Sequence, residues 1–161
     1  MVTSTYKVIH PDARVADLLG LLTTLHNTFD GKVDIYILEK ELEVDMDELM
    51  PILYAANTMG FINLAEGDII ITDKGLDFIK ANIKKRKELL RESIDRLEPF
   101  ATAKELKAFT VEELLEKLEE KGITTYSSPT GYNDLEIILA EWGIYSGFLS
   151  KEGERYIVKT T

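Results

Sequence analysis

The sequence predicts a mainly α protein with small β-hairpins (α+β), built from two related units. In each half, helical patterns precede an apolar run that turns at a glycine. The two halves also resemble each other. Gly60-Phe61 followed by Glu66-Gly67-Asp68 is similar to Gly147-Phe148 followed by Glu152-Gly153-Glu154. This similarity indicates a tandem arrangement.

Three helices are predicted in the first half. Apolar residues at helical spacing over residues 15–26 predict the first helix. Asp34 is a candidate N-cap for the second helix, and Asp45 with Glu48 has capping-box spacing at the start of the third. Because only a tight turn separates the second helix from the third, they are predicted to form a helix-turn-helix.

A β-hairpin is predicted directly after these helices. Residues 61–64 and 69–72 are rich in branched and aromatic side chains, and Gly67 lies in the turn between them. A hairpin that follows a helix-turn-helix is typical of a winged-helix unit.

A long central helix is predicted next, from the N-cap Thr72 to about Leu97. Leu76, Ile83, Leu90 and Leu97 repeat every seven residues along it. A stripe with this period packs against another helix, within the chain or across a homodimer formed through residues 76–97.

The second half repeats the scheme more loosely. Thr110 and Glu113 form a capping box before a helix to Lys121, a second helix runs from Asp134 to about Tyr145, and residues 148–158 form a hairpin. We therefore predict tandem winged-helix units joined by a long central helix: an N-terminal unit at 1–75, the helix at 76–100, and a C-terminal winged-helix-like unit at 101–161.

The composition limits where the protein works and what it binds. No apolar stretch approaches the roughly 18 to 20 residues that cross a bilayer, and the first residues lack the blocks of a secretion signal. We expect a cytoplasmic protein without direct membrane insertion. Since there is no cysteine and the only histidines are His10 and His26, we expect no metal and no cofactor.

The charge disfavours nucleic acid as a partner without excluding it. The chain has 29 acidic and 19 basic residues, a net charge of -10, and residues 1–75 alone hold 13 acidic and 5 basic residues. Binding to DNA depends largely on lysine and arginine side chains that displace counterions. The predicted third helix also offers only Asn57 for reading bases, far from its N-terminus.

No pattern indicates an enzyme. The chain has no nucleophile elbow, no GxxxxGK[ST] phosphate loop and no His-Glu-x-x-His spacing. We therefore expect no catalytic residues.

Two segments are candidate interaction sites. Lys84, Lys85, Arg86 and Lys87 could bind phosphate or an acidic partner, although the nearby acidic residues are typical of an ordinary solvated helix face. Trp142 and Tyr145 belong to an aromatic cluster that could form a binding surface if exposed or a core if buried.

Three segments resemble one known family. The opening segment, residues 8–22 (VIHPDARVADLLGLL), resembles the start of the AAA-associated C-terminal domain, a module appended to ATPase subunits of nitrate/sulfonate/bicarbonate-type ABC transporters. Residues 81–90 are similar to that family's central helix, and Trp142-Gly143-Ile144-Tyr145 with Phe148 is similar to its Trp-Gly-x-Tyr segment. Ile144 departs from the basic residue expected after Trp-Gly.

The resemblance implies a regulatory, non-catalytic module that binds a transport ATPase. Because no ATPase domain accompanies the module, we expect a free-standing copy that meets its partner in trans. Two other hypotheses stay open. One is a winged-helix transcriptional regulator that binds DNA through a wing and the basic central helix, and the other is a small-molecule sensor near Trp142.

Overall fold

The computed structural model describes residues 7–159, which are mainly helical and include two small antiparallel sheets. These residues divide into two compact units. The first is Asp12–Arg86, and the second combines residues 7–11 with residues 87–159. Helix α5, which spans Ile83–Ile94, contains the boundary.

The first unit alternates helices with three short strands. Its elements are α1 Val15–Phe29, β1 Lys32–Asp34, α2 Ile35–Leu42, α3 Met46–Thr58, β2 Ile62–Ala65, β3 Asp68–Ile71 and α4 Asp73–Lys80. The predicted helices and hairpin are therefore present. Strand β1 was not predicted, because three residues between two helices are too few to show a strand pattern.

The sheet of the first unit has the order β1-β3-β2. Ile69 in β3 is opposite Val33 in β1 and Leu64 in β2. Ile69 and Val33 are buried, as are Leu18, Leu22 and Leu25 on one face of α1. This apolar face and the central strand supply the core of the unit.

The N-caps of the first unit follow the prediction in two cases out of three. The side chain of Asp34 accepts a hydrogen bond from the Tyr36 amide, and that of Thr72 accepts one from the Gly75 amide. The capping box predicted from Asp45 and Glu48 is wrong, since the Asp45 side chain makes no capping hydrogen bond.

The predicted long central helix is also wrong, because the chain leaves the helical conformation between α4 and α5. Ala81 is extended, with a ψ of 154°, and ends α4. Asn82 immediately precedes α5, and its side-chain oxygen accepts a hydrogen bond from the Lys85 amide at 2.8 Å. Asparagine is among the preferred N-cap residues, so a local capping signal interrupts the seven-residue repeat.

The second unit contains the remaining elements. These are α6 Phe100–Leu106, β4 Ala108–Phe109, α7 Val111–Glu120, α8 Gly131–Ile138, a π-helical segment Leu139–Ile144, β5 Leu149–Glu152 and β6 Arg155–Val158. The predicted capping box of Thr110 and Glu113 is confirmed, and the sheet has the order β4-β6-β5. Helix α6 and strand β4 were not predicted.

Residues 7–11 pack against residues far along the sequence. The amide of Ile9 donates to the Glu98 carbonyl at 2.9 Å, and the Glu98 amide donates to the Lys7 carbonyl at 2.8 Å. The buried hydroxyl of Tyr126 donates to the Ile9 carbonyl at 2.5 Å. These bonds place the segment inside the second unit, although α1, which belongs to the first unit, begins only four residues later.

The two units share one order of elements: helix, strand, two helices, strand, strand. In each sheet the last strand lies between the other two. Gly60 and Gly147, which precede the hairpins, have φ values of 85° and 83°, a region that favours glycine. Phe61 and Phe148, which follow them, are both buried.

Candidate interaction surface

The position of each basic side chain around helix α5 determines whether it can contact a partner. Leu90 and Ile94 are fully buried, which fixes the inner face of the helix. Residues 84, 87 and 91 are three and four positions apart, so Lys84, Lys87 and Arg91 occupy one stripe of the helix. Lys85 and Arg86 lie outside this stripe.

Arg86 has a structural role within the first unit. Its guanidinium group donates to the carbonyls of Phe78 at 3.0 Å and Ile79 at 2.8 Å, which lie at the end of α4. These carbonyls belong to the last turn of the helix, where the backbone leaves acceptors unpaired. The charge of Arg86 therefore stabilises the end of α4.

Lys87 and Tyr145 come together in the second unit. The Lys87 ammonium group lies 5.0 Å from the centre of the Tyr145 ring, within the range of a cation–π contact. A Cβ atom placed on Gly147 would lie 3.1 Å from a guanidinium nitrogen of Arg91. Two basic side chains of α5 thus lie next to the segment that follows the π-helical residues.

Ile144, the last residue of the π-helical segment, and Tyr145, the residue after it, are exposed to solvent. Their exposed fractions are 38% and 42%, whereas Trp142 and Gly143 are buried. Because a π-helical segment changes the angular position of the residues that follow it, it allows a buried tryptophan and an exposed tyrosine three residues later. Such segments occur frequently at functional sites.

The backbone of this segment is held in place by its neighbours. The buried Ser146 hydroxyl donates to the Trp142 carbonyl at 2.6 Å. A Cβ atom on Gly143 would lie only 2.7 Å from Leu149 and 2.8 Å from Phe100. The segment therefore packs too closely for any side chain at residue 143.

We refer to Lys87, Arg91, Ile144 and Tyr145 as the α5–π surface. It combines two basic groups with one aromatic and one aliphatic side chain, a composition suited to protein contacts. Among the predicted site residues, Lys87 and Tyr145 belong to it. Trp142 has no exposed surface and belongs to the core, while Lys84 and Lys85 are exposed on α5.

Two members of this surface, Arg91 and Ile144, were not among the candidate site residues predicted from the sequence. Arg91 stood apart from the compact basic run, although its spacing of four residues from Lys87 places both on one helix face. Ile144 was noted only as a departure from the family pattern. Its exposure depends on the π-helical segment, which the sequence pattern did not indicate.

Large side chains are also exposed on α2 and on α3 of the first unit. Tyr36, Ile37 and Tyr54 have exposed fractions of 70%, 54% and 59%. Pro51, which lies inside α3, is buried. The helix contains Asp47 and Glu48 in its first turn and no lysine or arginine.

The part of the chain that the structure describes has neither a cluster of metal-binding side chains nor a membrane-spanning helix. Between residues 7 and 159 there is no group of three or more histidine or acidic side chains able to hold a metal ion. Among the same residues, no helix has the length and apolar character needed to cross a membrane.

The chain is similar to a known protein family. The model of a family described as the C-terminal AAA-associated domain matches residues 36–152, more than half of the chain. The match includes α5 and the segment from Trp142 to Phe148, and it begins after the opening segment at residues 8–22. No curated protein and no solved structure matches the chain.

Proposed function

The chain belongs to the family of C-terminal AAA-associated domains, and from this membership we propose that it is a non-catalytic interaction module that binds and regulates an ATPase of the ABC-transporter type. The family match is the observation that carries the proposal, because it spans most of both units.

The order of elements supports a tandem winged-helix architecture. Each unit has a helix, a strand, two helices and a hairpin whose last strand pairs with the first. In a winged-helix unit of this kind, the hairpin is the wing and the two consecutive helices form the helix-turn-helix. Winged-helix units bind proteins as well as DNA, so function has to be argued from the surfaces.

The α5–π surface is the contact that we assign to the ATPase. Exposed tyrosine and arginine side chains are enriched where protein partners bind most strongly. The lysine of the Lys87–Tyr145 pair holds the ring in a defined position, which lowers the entropy lost on binding.

Capture of an ATPase from the source cells tests this assignment. Tagged wild-type chain is used as bait beside a double variant, Lys87→Glu with Tyr145→Ala. We expect the wild type to recover the ATP-binding subunit of a transporter and the double variant to recover at least about tenfold less.

A matched control separates the surface from a general effect of charge. Lys151 also lies over an aromatic ring, that of Tyr156, at 5.3 Å, and Tyr132 is as exposed as Tyr145. The control variant is therefore Lys151→Glu with Tyr132→Ala, which should recover the subunit like the wild type. Equal loss in both variants, or no transporter ATPase with the wild type, would contradict the proposal.

DNA binding is the second candidate function. The stripe of Lys84, Lys87 and Arg91 on α5 favours it, since three basic groups spaced along one helix can contact phosphates. Against it, α3 contains two carboxylates in the turn that usually reads bases and no basic residue.

Fluorescence anisotropy of a labelled random DNA duplex distinguishes this function. A non-specific DNA-binding protein has dissociation constants of roughly 10⁻⁴ to 10⁻⁶ M and a steep dependence on salt. We expect no binding at about 50 mM salt. Salt-dependent binding that disappears when Lys84, Lys87 and Arg91 are neutralised would establish the DNA-binding function instead.

A further inference from the structure

Two cations of the α5–π surface have no ion-pair partner in the part of the chain that the structure describes. They are Lys87 and Arg91, and both are half-buried. The chain has 29 acidic and 19 basic residues, so carboxylates are plentiful. Arg86 on the same helix, by contrast, donates to two backbone carbonyls. The charges of Lys87 and Arg91 are therefore not neutralised within residues 7–159.

Contacts within the second unit bring these two cations to one short segment. The Lys87 ammonium group lies 5.0 Å from the centre of the Tyr145 ring. A guanidinium nitrogen of Arg91 lies 3.1 Å from the position that a Cβ atom would have on Gly147, two residues after Tyr145. Lys87 and Arg91 thus lie against residues 145–147, in addition to sharing one stripe of α5.

The fold gains little from holding these two charges together. Lysine and arginine side chains four positions apart on a helix repel each other, and partial burial reduces the screening of this repulsion. The ring of Tyr145 offsets part of the cost for Lys87, but no carboxylate between residues 7 and 159 pairs with Arg91. An arrangement that costs stability without a compensating contact is typical of a functional site.

A carboxylate is the group that this pair of cations fits. The guanidinium group of arginine donates two parallel hydrogen bonds to a carboxylate, and the ammonium group of lysine supplies a further donor. Ile144 and Tyr145, which are 38% and 42% exposed, offer an apolar contact beside the cations. DNA is a poorer fit than a short acidic peptide segment, because a long polyanion meets the net charge of -10 of the whole chain.

We propose that the α5–π surface binds a short acidic segment of the partner protein. Lys87 and Arg91 bind one carboxylate of this segment, and an apolar side chain beside that carboxylate packs on Ile144 and Tyr145. The inference rests on the proposed function for the identity of the partner as an ATPase, and it adds the chemistry that the ATPase presents.

The test uses three synthetic peptides of about 12 residues. The first alternates glutamate with leucine, the second has lysine in place of glutamate, and the third has serine in place of leucine. NMR titration of the full chain with the first peptide should shift the amides of residues 87–91 and 144–148 and the ring signals of Tyr145, saturably and less strongly as salt is added.

The other two peptides separate the charge from the apolar contact. The lysine peptide should leave these signals in place, wherever else it binds on the acidic chain. The serine peptide should shift the same signals with an affinity that is lower by about tenfold, because it cannot cover Ile144 and Tyr145.

Three variants test the role of Arg91. We expect Arg91→Gln to weaken binding of the glutamate–leucine peptide by about tenfold or more. Arg91→Lys should weaken it by a smaller factor, because lysine keeps the charge and loses the two parallel hydrogen bonds. Arg96→Gln is the matched control, since Arg96 is an exposed arginine beyond the end of α5, and it should bind like the wild type. Arg91→Gln should not unfold at a lower temperature than the wild type, because it removes a like-charge repulsion.

Four results would overturn the assignment. The first is a glutamate–leucine peptide that leaves residues 87–91 and 144–148 unshifted. The second is equal affinity in Arg91→Gln and the wild type, and the third is an equal loss in Arg96→Gln, which would show attraction to charge alone. The fourth is binding of a random DNA duplex that is lost in Arg91→Gln, which would identify a phosphate polyanion as the occupant.

ATPase capture measured in parallel separates this inference from the proposed function. If an ATPase is captured through Lys87 and Tyr145 while the glutamate–leucine peptide does not bind, the inference fails and the proposed function stands. If the peptide binds at the α5–π surface while no ATPase is captured, the proposed function fails and the acidic chemistry of the partner stands.

Discussion

At the scale of single residues, two glycines differ in whether the surrounding packing leaves room for a side chain. Gly143 lies in the π-helical segment between Leu149 and Phe100, with no room for a side chain. Gly20 in α1 has nothing within 4 Å of a Cβ position. The same substitution should therefore have opposite effects at the two positions.

We expect Gly143→Ala to lower the free energy of unfolding by about 1–3 kcal/mol, because the added methyl group forces the core apart. Gly20→Ala, the matched control, should raise it by about 0.4–1 kcal/mol by restricting the unfolded chain. Urea denaturation of both variants measures the difference. A Gly143→Ala protein as stable as the wild type would show that the core around the π-helical segment adapts.

Arg86 and Lys84 test whether the basic run is one functional unit. Arg86→Ala removes the hydrogen bonds to the Phe78 and Ile79 carbonyls, and it should cost about 1.5–3 kcal/mol of stability. Lys84→Ala should change stability by less than about 0.5 kcal/mol, since Lys84 is exposed. Thermal unfolding of the two variants compares them. Equal losses would contradict the structural role of Arg86.

The sequence showed that this run is basic, but it did not show the role of each side chain. Whether a side chain caps a helix, packs on a ring or faces water depends on contacts with residues outside the run. Arg86 meets α4 because Ala81 and Asn82 break the helix, and Lys87 meets Tyr145 across 58 positions of sequence. Neither contact can be predicted from the spacing of residues within one segment.

At the scale of elements, local capping chemistry was the most reliable signal. Asp34, Thr72 and the Thr110–Glu113 pair were predicted as caps from residue type and spacing, and all are confirmed. Asp45 failed because its side chain makes no bond to the helix, although its position as the residue before α3 was right. The short strands β1 and β4 were missed, since two or three residues show no alternation.

The capping box of α7 makes stability depend on pH. The backbone hydrogen bond from the Thr110 amide is the main cause that lowers the pKa of the Glu113 carboxyl in the folded protein. A lowered folded-state pKa stabilises the fold above the unfolded-state pKa, and this contribution is lost as the pH falls through the folded-state value.

We therefore expect Glu113→Gln to be less stable than the wild type at pH 7, with the difference shrinking as the pH falls below about 4. Urea denaturation across this pH range measures the difference. Thr110→Ala is the companion variant, and it should cost about 1 kcal/mol because it removes the cap itself. A Glu113→Gln deficit that stays constant with pH would contradict the role of the carboxylate.

At the scale of the whole molecule, the similarity of the two halves was a better guide than the seven-residue repeat. The similar Gly-Phe pairs mark equivalent positions before the two hairpins. The leucine repeat pointed to one long helix, yet Leu90 and Leu97 are buried and Ile83 is 64% exposed. A homodimer interface through residues 76–97 stays a prediction. Such an interface would not be formed by one continuous helix.

The contacts of residues 7–11 with Glu98 and Tyr126 could not be predicted from the sequence.

Tyr126 tests this long-range connection. Burial raises the pKa of its phenol well above the ordinary value, and its hydroxyl donates to the Ile9 carbonyl. Since a raised folded-state pKa stabilises the fold below the unfolded-state value, stability should fall as the pH rises above about 10.

Tyr126→Phe should cost about 1–3 kcal/mol at pH 7 and reduce this alkaline loss. It should also speed hydrogen exchange at the Ile9 amide, which pairs with the Glu98 carbonyl. Denaturation at pH 7 and pH 11 with exchange measured on residues 7–11 tests both effects. Unchanged exchange would show that the segment is held without the tyrosine.

We propose that this member of the family of C-terminal AAA-associated domains binds an ATPase through its α5–π surface. The most direct test is the affinity of the purified ATP-binding subunit, once captured, for immobilised wild-type chain and for the Lys87→Glu, Tyr145→Ala variant. We predict saturable binding to the wild type that weakens by at least about tenfold in the variant and is retained in the Lys151→Glu, Tyr132→Ala control. Equal affinity for all three proteins, or no binding to the wild type, would contradict the claim.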